Sequence, residues 1–237
     1  MKLSIVIPCY NESDSLKTLI NKCIEIIDKD IEVILVDNGS TDNTFQKLSN
    51  MNLPKNIILH TIPINKGYGN GILEGLKKAK GEILSWTHAD LQTDPKDVVI
   101  GYEKYKSELT NKKIFIKGVR RNRKFFDNFF SVMMGLYCSL VLKRNLFDIN
   151  AQPKIFHRVF FERFINPPYD FSLDLYVYNY FKSNNIKVET IPVYFDKRLY
   201  GIAKGGGNLR GKIKLIIRTI NYIHKLKKSL KNEVHYS

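Results

Sequence analysis

The chain has 237 residues, is 43% hydrophobic and 26% charged, and carries a formal net charge of +15. That length suits one α/β domain or two small ones and can bury a sizeable core, and the composition excludes a disordered or low-complexity chain. The three cysteines form no CxxC pair, which argues against a disulfide framework and fits a reducing cytoplasm, while the positive charge calls for an anionic partner: nucleic acid, a phosphorylated small molecule or an acidic membrane surface.

Leu3-Ser4-Ile5-Val6-Ile7 is a β-branched apolar run stopped by Pro8, expected as a central strand. Met1-Lys2 leads straight into it, so no signal peptide is expected. Cys9 reads as a small buried residue. Ser13 or Ser15 can cap the following helix, whose apolar face is Leu16, Leu19, Ile20, Cys23, Ile26 and Ile27. Glu32 to Val36 is a second strand, opening into the turn-rich loop Asp37-Asn38-Gly39-Ser40-Thr41-Asp42. Asn56 to Thr61 is a third. Asn65-Lys66-Gly67 then precedes a helix reaching Lys78 with Gly69, Gly71 and Gly75 inside it. Glycine in a helix costs ~1 kcal/mol relative to alanine, so three of them point to something packed close against this backbone.

Glu82 to Trp86 reads as a buried strand, and His88, Asp90 and Gln92 follow at alternate positions. In an extended segment such side chains share a direction, so an imidazole, a carboxylate and a carboxamide can converge on one ion. The plain alternative is a polar loop whose Asp94 caps the helix expected from Pro95 to about Leu109. Lys113 to Gly118 is the next strand, followed by Arg120, Arg121 and Arg123.

Phe129 to Leu142 is an uncharged apolar stretch, shorter than the ~20 residues that span a bilayer and flanked by basic residues. Asp148 to Arg158 reads as a polar loop entering a strand, Asp170 to Ser183 as a helix and Ile186 to Tyr194 as a strand. Arg198 leads into the glycine-rich segment Gly201 to Gly207. Arg210 to Lys231 is a basic amphipathic helix.

Strands and helices alternate, and the strands are continuous apolar runs. This predicts an α/β fold with a mostly parallel central sheet covered on both faces. Ligands of such sheets bind beyond the carboxyl ends of the strands, where the loops at Pro8, Asp37, His88 and Gly118 would gather.

Ser4-Ile5-Val6-Ile7-Pro8-Cys9-Tyr10-Asn11-Glu12 resembles the opening strand and loop of family 2 glycosyltransferases. Val36-Asp37-Asn38-Gly39-Ser40-Thr41-Asp42 is similar to their second motif, and Asn65-Lys66-Gly67 with its glycine-bearing helix to their third. Ala89-Asp90-Leu91-Gln92 resembles the metal motif of the polyprenyl-phosphate hexosyltransferase branch, the dolichol-phosphate mannose synthase-like enzymes. The resemblance covers roughly residues 3 to 205. It implies a GT-A (Rossmann-like) fold, a nucleotide-diphospho-sugar donor and a divalent metal, Mn²⁺ or Mg²⁺. By position it implies that Pro8, Tyr10, Glu12, Asp37, Asp42, Lys66, Gly67 and Ala89 form the nucleotide site. It gives the metal to Asp90 and Gln92, which the alternate spacing joins to His88, the phosphate role to Arg120, and the diphosphate clamp to Arg198 and Lys204. The chain departs from the family where His88 replaces the first Asp of Asp-x-Asp, and where Gln152-Pro153-Lys154 replaces Gly-Phe-Arg or Gly-Phe-Lys.

Asp174 has two readings, a first-turn carboxylate near a helix dipole and a catalytic base. An ionised polyprenyl phosphate needs no base and a sugar hydroxyl does. The basic flanks, apolar helix and basic tail favour the first acceptor, and a glycan hydroxyl is the alternative. A 1–208 transferase domain, a 209–237 tail and peripheral binding to an anionic cytoplasmic membrane face are expected. Non-enzyme alternatives are a nucleotide-sugar binder and a basic nucleic-acid-binding protein. No RNP, helix-turn-helix or zinc pattern supports the last, so nucleic acid is not an expected partner.

Overall fold

The computed structural model describes residues 1–122, 125–195 and 209–234. The first part of the chain runs β1 (Leu3–Cys9), α1 (Leu16–Ile24), β2 (Ile31–Asn38), α2 (Thr44–Ser49), β3 (Ile57–Ile62), α3 (Tyr68–Lys78) and β4 (Ile83–Trp86). Then follow α4 (Lys96–Lys104), α5 (Lys106–Thr110), β5 (Ile114–Arg121), α6 (Phe125–Leu142), β6 (Lys154–His157), α7 (Arg158–Phe161), α8 (Leu173–Ser183), β7 (Lys187–Tyr194) and α9 (Leu209–Val234). The helix expected from Pro95 to Leu109 is two helices, because Tyr105 leaves helical geometry at φ −125°, ψ 26°.

Among the described residues the sheet has seven strands in the order β3-β2-β1-β4-β6-β5-β7. β1, β2, β3 and β4 are mutually parallel, and β7 is parallel to β5. β6 runs antiparallel to both its neighbours, with Trp86 opposite Lys154 and Lys117 opposite Lys154. An inverted strand brings its own start to the edge where its neighbours end. Gln152 and Lys154 therefore reach the carboxyl edge of the sheet.

Side chains alternate between two cores. Ile5, Ile7, Val33 and Leu35 pack with α1, α4 and α5 on one face; Val6, Ile34, Val36 and Trp86 pack with α3, α6, α8 and α9 on the other. The second core contains an aromatic cluster. Phe115 and Phe181 stack at 4.3 Å and 4°, and Phe156 meets Trp86 edge-on at 5.7 Å. Such pairs contribute ~0.5–1.5 kcal/mol each beyond area burial, and they fix α8 over the sheet. α3 lies directly on β1 and β2: a Cβ on Gly75 would sit 2.3 Å from Val6 Cγ1. That close approach is what the helical glycines predicted. α9 is seated by Ile223 and Leu226 in the second core, by Tyr137 Oη 2.9 Å from His224 Nε2, and by Arg218 Nε 3.7 Å from Asp170.

Candidate functional site

The loops after β1 and β2 are stitched to one another. Asn11 N donates to Ser40 Oγ at 3.0 Å, Thr41 N to Asn11 Oδ1 at 2.8 Å, and Glu12 N to Thr44 Oγ1 at 2.9 Å. Asp42 braces the same junction, accepting from Thr44 N at 2.9 Å and Ser13 N at 3.4 Å. Burial alone would raise the Asp42 carboxyl, but the Thr44 and Ser13 donors outweigh it and hold it below the usual range. Asp37 is closed to solvent and accepts from Ser40 N at 3.2 Å. Gly39 turns the second loop at φ 68°, a conformation that favours glycine, and a Cβ there would lie 2.4 Å from Asn65 N. The second and third motif loops thus touch, and Asn38 Nδ2 donates to Gly67 O at 3.0 Å. Pro8 is the wall beneath them, with its Cβ 3.2 Å from where a Gly71 Cβ would stand. Tyr10 and Glu12 are half-buried on the same rim, Lys66 is exposed, and Ala89 is buried.

Beyond β4 the chain is not extended. Residues 89–93 are bends, and Leu91 sits at φ 59° with its side chain buried. A left-handed non-glycine residue costs of order 1–3 kcal/mol and needs surroundings that enforce it. Here Asp90 Oδ1 accepts from Gln92 N at 3.1 Å, an Asx turn that overrides the alternation expected from the sequence. His88, Asp90 and Gln92 are each half-buried at this edge. Burial holds the His88 imidazole below its ordinary pKa, with Asp90 and Asp174 pushing the other way, so the ring is neutral near pH 7 and has a lone pair to offer. Asp94 Oδ1 accepts from Lys96 N at 2.9 Å, the capping role weighed for it.

Under these loops lies a closed polar floor, which joins residues that motif reading names only separately. Asp174, 1% exposed, accepts from Gln152 Nε2 at 2.8 Å and Trp86 Nε1 at 3.3 Å, and Lys154 Nζ stands 3.7 Å away. Lys154 also donates to Ile149 O at 2.7 Å and Ala151 O at 2.6 Å. Gln152 Nε2 lies 3.2 Å from Tyr68 Oη as well. The Tyr68 ring stacks on Phe171 at 4.8 Å and 11°, and meets His88 at 5.7 Å. The sequence marks Gln152 only as a departure from the family's Gly-Phe-Arg position and Tyr68 not at all; the inverted β6 and the position after Gly67 bring them here.

Arg120 ends β5 beside the floor. Its Nε donates to Asp148 Oδ1 at 2.8 Å, its guanidinium makes a second bond to the same oxygen, and its backbone N meets Asp148 Oδ2 at 2.8 Å. Burial pushes the Asp148 carboxyl up, and Arg120 more than cancels it. A cavity of about 500 Å³ opens next to this pair, lined by Arg120, Arg121 and Asp148 and by the apolar Val132, Leu136, Leu146 and Phe147. Arg198 and Lys204 lie outside the described residues.

Among the described residues no three His, Cys, Asp or Glu side chains converge as a ligand cluster. The donors at the β4 edge are one carboxylate, one carboxamide and one neutral imidazole. That set fits a divalent cation shared with substrate phosphates, which is how Mg²⁺-type ions are held, rather than a dedicated protein cage.

Residues 4–165 match the family model described as glycosyl transferase family 2. Undecaprenyl-phosphate 4-deoxy-4-formamido-L-arabinose transferase of Enterobacter sp. (strain 638) is 35% identical over 102 residues, covering 41% of this chain and 31% of that protein. The match thus spans about a third of the curated relative. Glucosyl-3-phosphoglycerate synthase of Mycobacterium tuberculosis has the same fold. Its UDP complex superposes at TM-score 0.72 with 15% identity, covering 96% of this chain and 80% of that one. Its complex with Mn²⁺, UDP and glucosyl-3-phosphoglycerate gives 0.69 with 16% identity, covering 95% and 79%. The fold is GT-A, and the chain belongs to glycosyltransferase family 2.

Proposed function

We propose that the protein moves a sugar from a nucleotide-diphospho-sugar to a polyprenyl phosphate, with inversion at the anomeric carbon, at the cytoplasmic face of a membrane. The observation that carries this reading is the cavity beside Arg120: lined by Arg120 and Arg121 together with Val132, Leu136, Leu146 and Phe147, it suits a phosphate joined to a hydrocarbon chain. The named relative acts on undecaprenyl phosphate, which is the same acceptor chemistry.

The donor side rests on the stitched loops. Pro8, Tyr10, Glu12, Asp37, Asp42, Lys66, Gly67 and Ala89 form the nucleotide site, with Asp37 and Asp42 acting mainly as braces of its backbone. Asp90, with Gln92 and His88, would hold a divalent cation, which would supply positive charge against the diphosphate. Arg120 faces the phosphates, and Arg198 and Lys204 clamp them. Asp174 is already committed to Trp86, Gln152 and Lys154, which suits an acceptor that needs no base.

The membrane side rests on α6 and α9. Phe129, Val132, Met133, Leu136 and Leu140 form an exposed apolar stripe along α6, and Ile213 and Ile217 are exposed on α9. No helix among the described residues is long and apolar enough to cross a membrane. A stripe of this kind with basic flanks suits the interface of an anionic leaflet. The basic residues of 209–237 supply the contact to the anionic surface, while Ile223 and Leu226 anchor α9 in the second core of the domain.

The test is a screen of nucleotide sugars with polyprenyl phosphate, with and without Mn²⁺ or Mg²⁺. One donor should release its nucleoside diphosphate in a cation-dependent way. No release from any donor would sink the reading.

A further inference from the structure

Tyr68 carries an unspent hydroxyl proton at the centre of the site. Gln152 is 1% exposed and its amide direction is dictated by Asp174, because the same Oδ1 already accepts from the donor-only Trp86 Nε1–H. The amide nitrogen therefore points at both Asp174 and Tyr68 Oη. An amide nitrogen cannot accept, so the phenol oxygen accepts from it. Among the described residues no acceptor is recorded for the phenol's own hydrogen.

The arrangement carries a cost. With the nitrogen turned this way, Gln152 Oε1 is buried and has no hydrogen-bond partner. An orphaned buried acceptor costs ~1–3 kcal/mol, so aiming the nitrogen is favoured over satisfying the oxygen. The Tyr68 ring cannot swing away, held between Phe171 and His88.

The surroundings choose the ligand. The one ammonium of this floor, Lys154, is spent on Ile149 O, Ala151 O and Asp174. Beside it, Tyr68 and Phe171 add stacked rings and Gln152 a neutral amide, with the Asp90 carboxyl near enough to act on the phenol. That chemistry suits an uncharged polyhydroxyl ring better than a diphosphate.

We propose that Tyr68 is a specificity-determining residue of the donor site: its O–H donates to an oxygen of the transferred sugar, and Gln152 is the positioning residue that aims it. The proposal rests on the nucleotide-sugar reading above and names the part of the donor that this floor recognises.

The experiment is calorimetric binding to full-length wild type and Tyr68→Phe, in Mn²⁺, of UDP, GDP and the corresponding nucleotide sugars. Phenylalanine keeps the ring stack, and equal melting temperatures confirm the fold. One neutral hydrogen bond is worth ~0.5–1.5 kcal/mol, so Tyr68→Phe should bind the nucleotide sugar roughly 2- to 13-fold more weakly. Affinity for the bare nucleoside diphosphate should stay within about twofold. A donor lacking the contacted hydroxyl should bind both proteins equally. Equal loss for diphosphate and nucleotide sugar, or no loss for either, overturns the role of Tyr68 while leaving the donor reading intact. A wild type that binds neither nucleoside diphosphate overturns the donor reading itself, and this inference with it.

Discussion

Lys154 Nζ lies 3.7 Å from Asp174 Oδ1, and both side chains are closed to solvent. Their pairing is the hinge between fold and chemistry. Removing one charge of such a pair costs ~3–5 kcal/mol, because the other is left buried alone. Asp174→Asn should therefore lower stability by roughly 3 kcal/mol in denaturant titration. It should nonetheless leave the single-turnover rate of the folded, donor-bound enzyme within about tenfold, since loss of a true base costs ~10²–10⁴. A fall beyond that range would make Asp174 a base and move the acceptor to a sugar hydroxyl.

Lys117 gives the stability a pH dependence. Its Nζ is buried against the Phe147 and Tyr178 rings at 4.7 and 5.3 Å and donates to Gly118 O at 2.9 Å. Burial, with Lys154 beside it, pushes the ammonium down from 10.5 to about 6. Between those values the unfolded chain binds a proton that the folded protein does not. The contribution to stability therefore rises with pH across the window. Lys117→Met should raise the melting temperature at pH 7 by about 4 °C or more, with the gap closing toward pH 10. A gap that is constant with pH would show that the lysine is charged when folded.

Asp90 is the one carboxylate among the three donors at the β4 edge. Asp90→Ala should abolish cation-dependent turnover, and His88→Asp should preserve activity or shift the preference from Mn²⁺ toward Mg²⁺, since a harder oxygen replaces a nitrogen. Activity indifferent to both chelator and Asp90→Ala would remove the metal from the account.

The sheet edge was legible because continuous apolar runs alternating with helices leave few other folds, and parallel strands place their loops together. The helical glycines were legible as a close approach, now seen at Gly75 against Val6. The alternation of His88, Asp90 and Gln92 misled, because side-chain period says nothing of a left-handed residue such as Leu91. The floor was legible only as separate pieces, the Gln152-Pro153-Lys154 departure and the Asp174 carboxylate, and not as one network. Lys154 pairs antiparallel with Trp86 and Lys117, and no local pattern announces a strand's direction. Asp174 was visible as a first-turn carboxylate or a base, but not as the centre of a buried network, since its partners lie 88, 22 and 20 residues away in sequence.

The membrane proposal is best tested on surface side chains. Ile223 and Leu226 of α9 belong to the core, so cutting the chain at residue 208 would bare it. Leu136→Ser and Leu140→Ser on α6, at 60% and 79% exposure, leave the core untouched. Each lost leucine removes ~1.5–3 kcal/mol of burial in an apolar phase. The pair should cut flotation with anionic vesicles by at least tenfold, and high salt should weaken what remains. Flotation equal to wild type would assign the stripe to another partner.

Product analysis with competing acceptors tests the central claim most directly. Full-length protein, the active nucleotide sugar and Mn²⁺ are mixed with equal polyprenyl phosphate and oligosaccharide, and the products are separated by mass. The account predicts a polyprenyl-linked sugar monophosphate with inverted anomeric configuration and no glycan extension. An extended oligosaccharide, with the polyprenyl phosphate untouched, would contradict it.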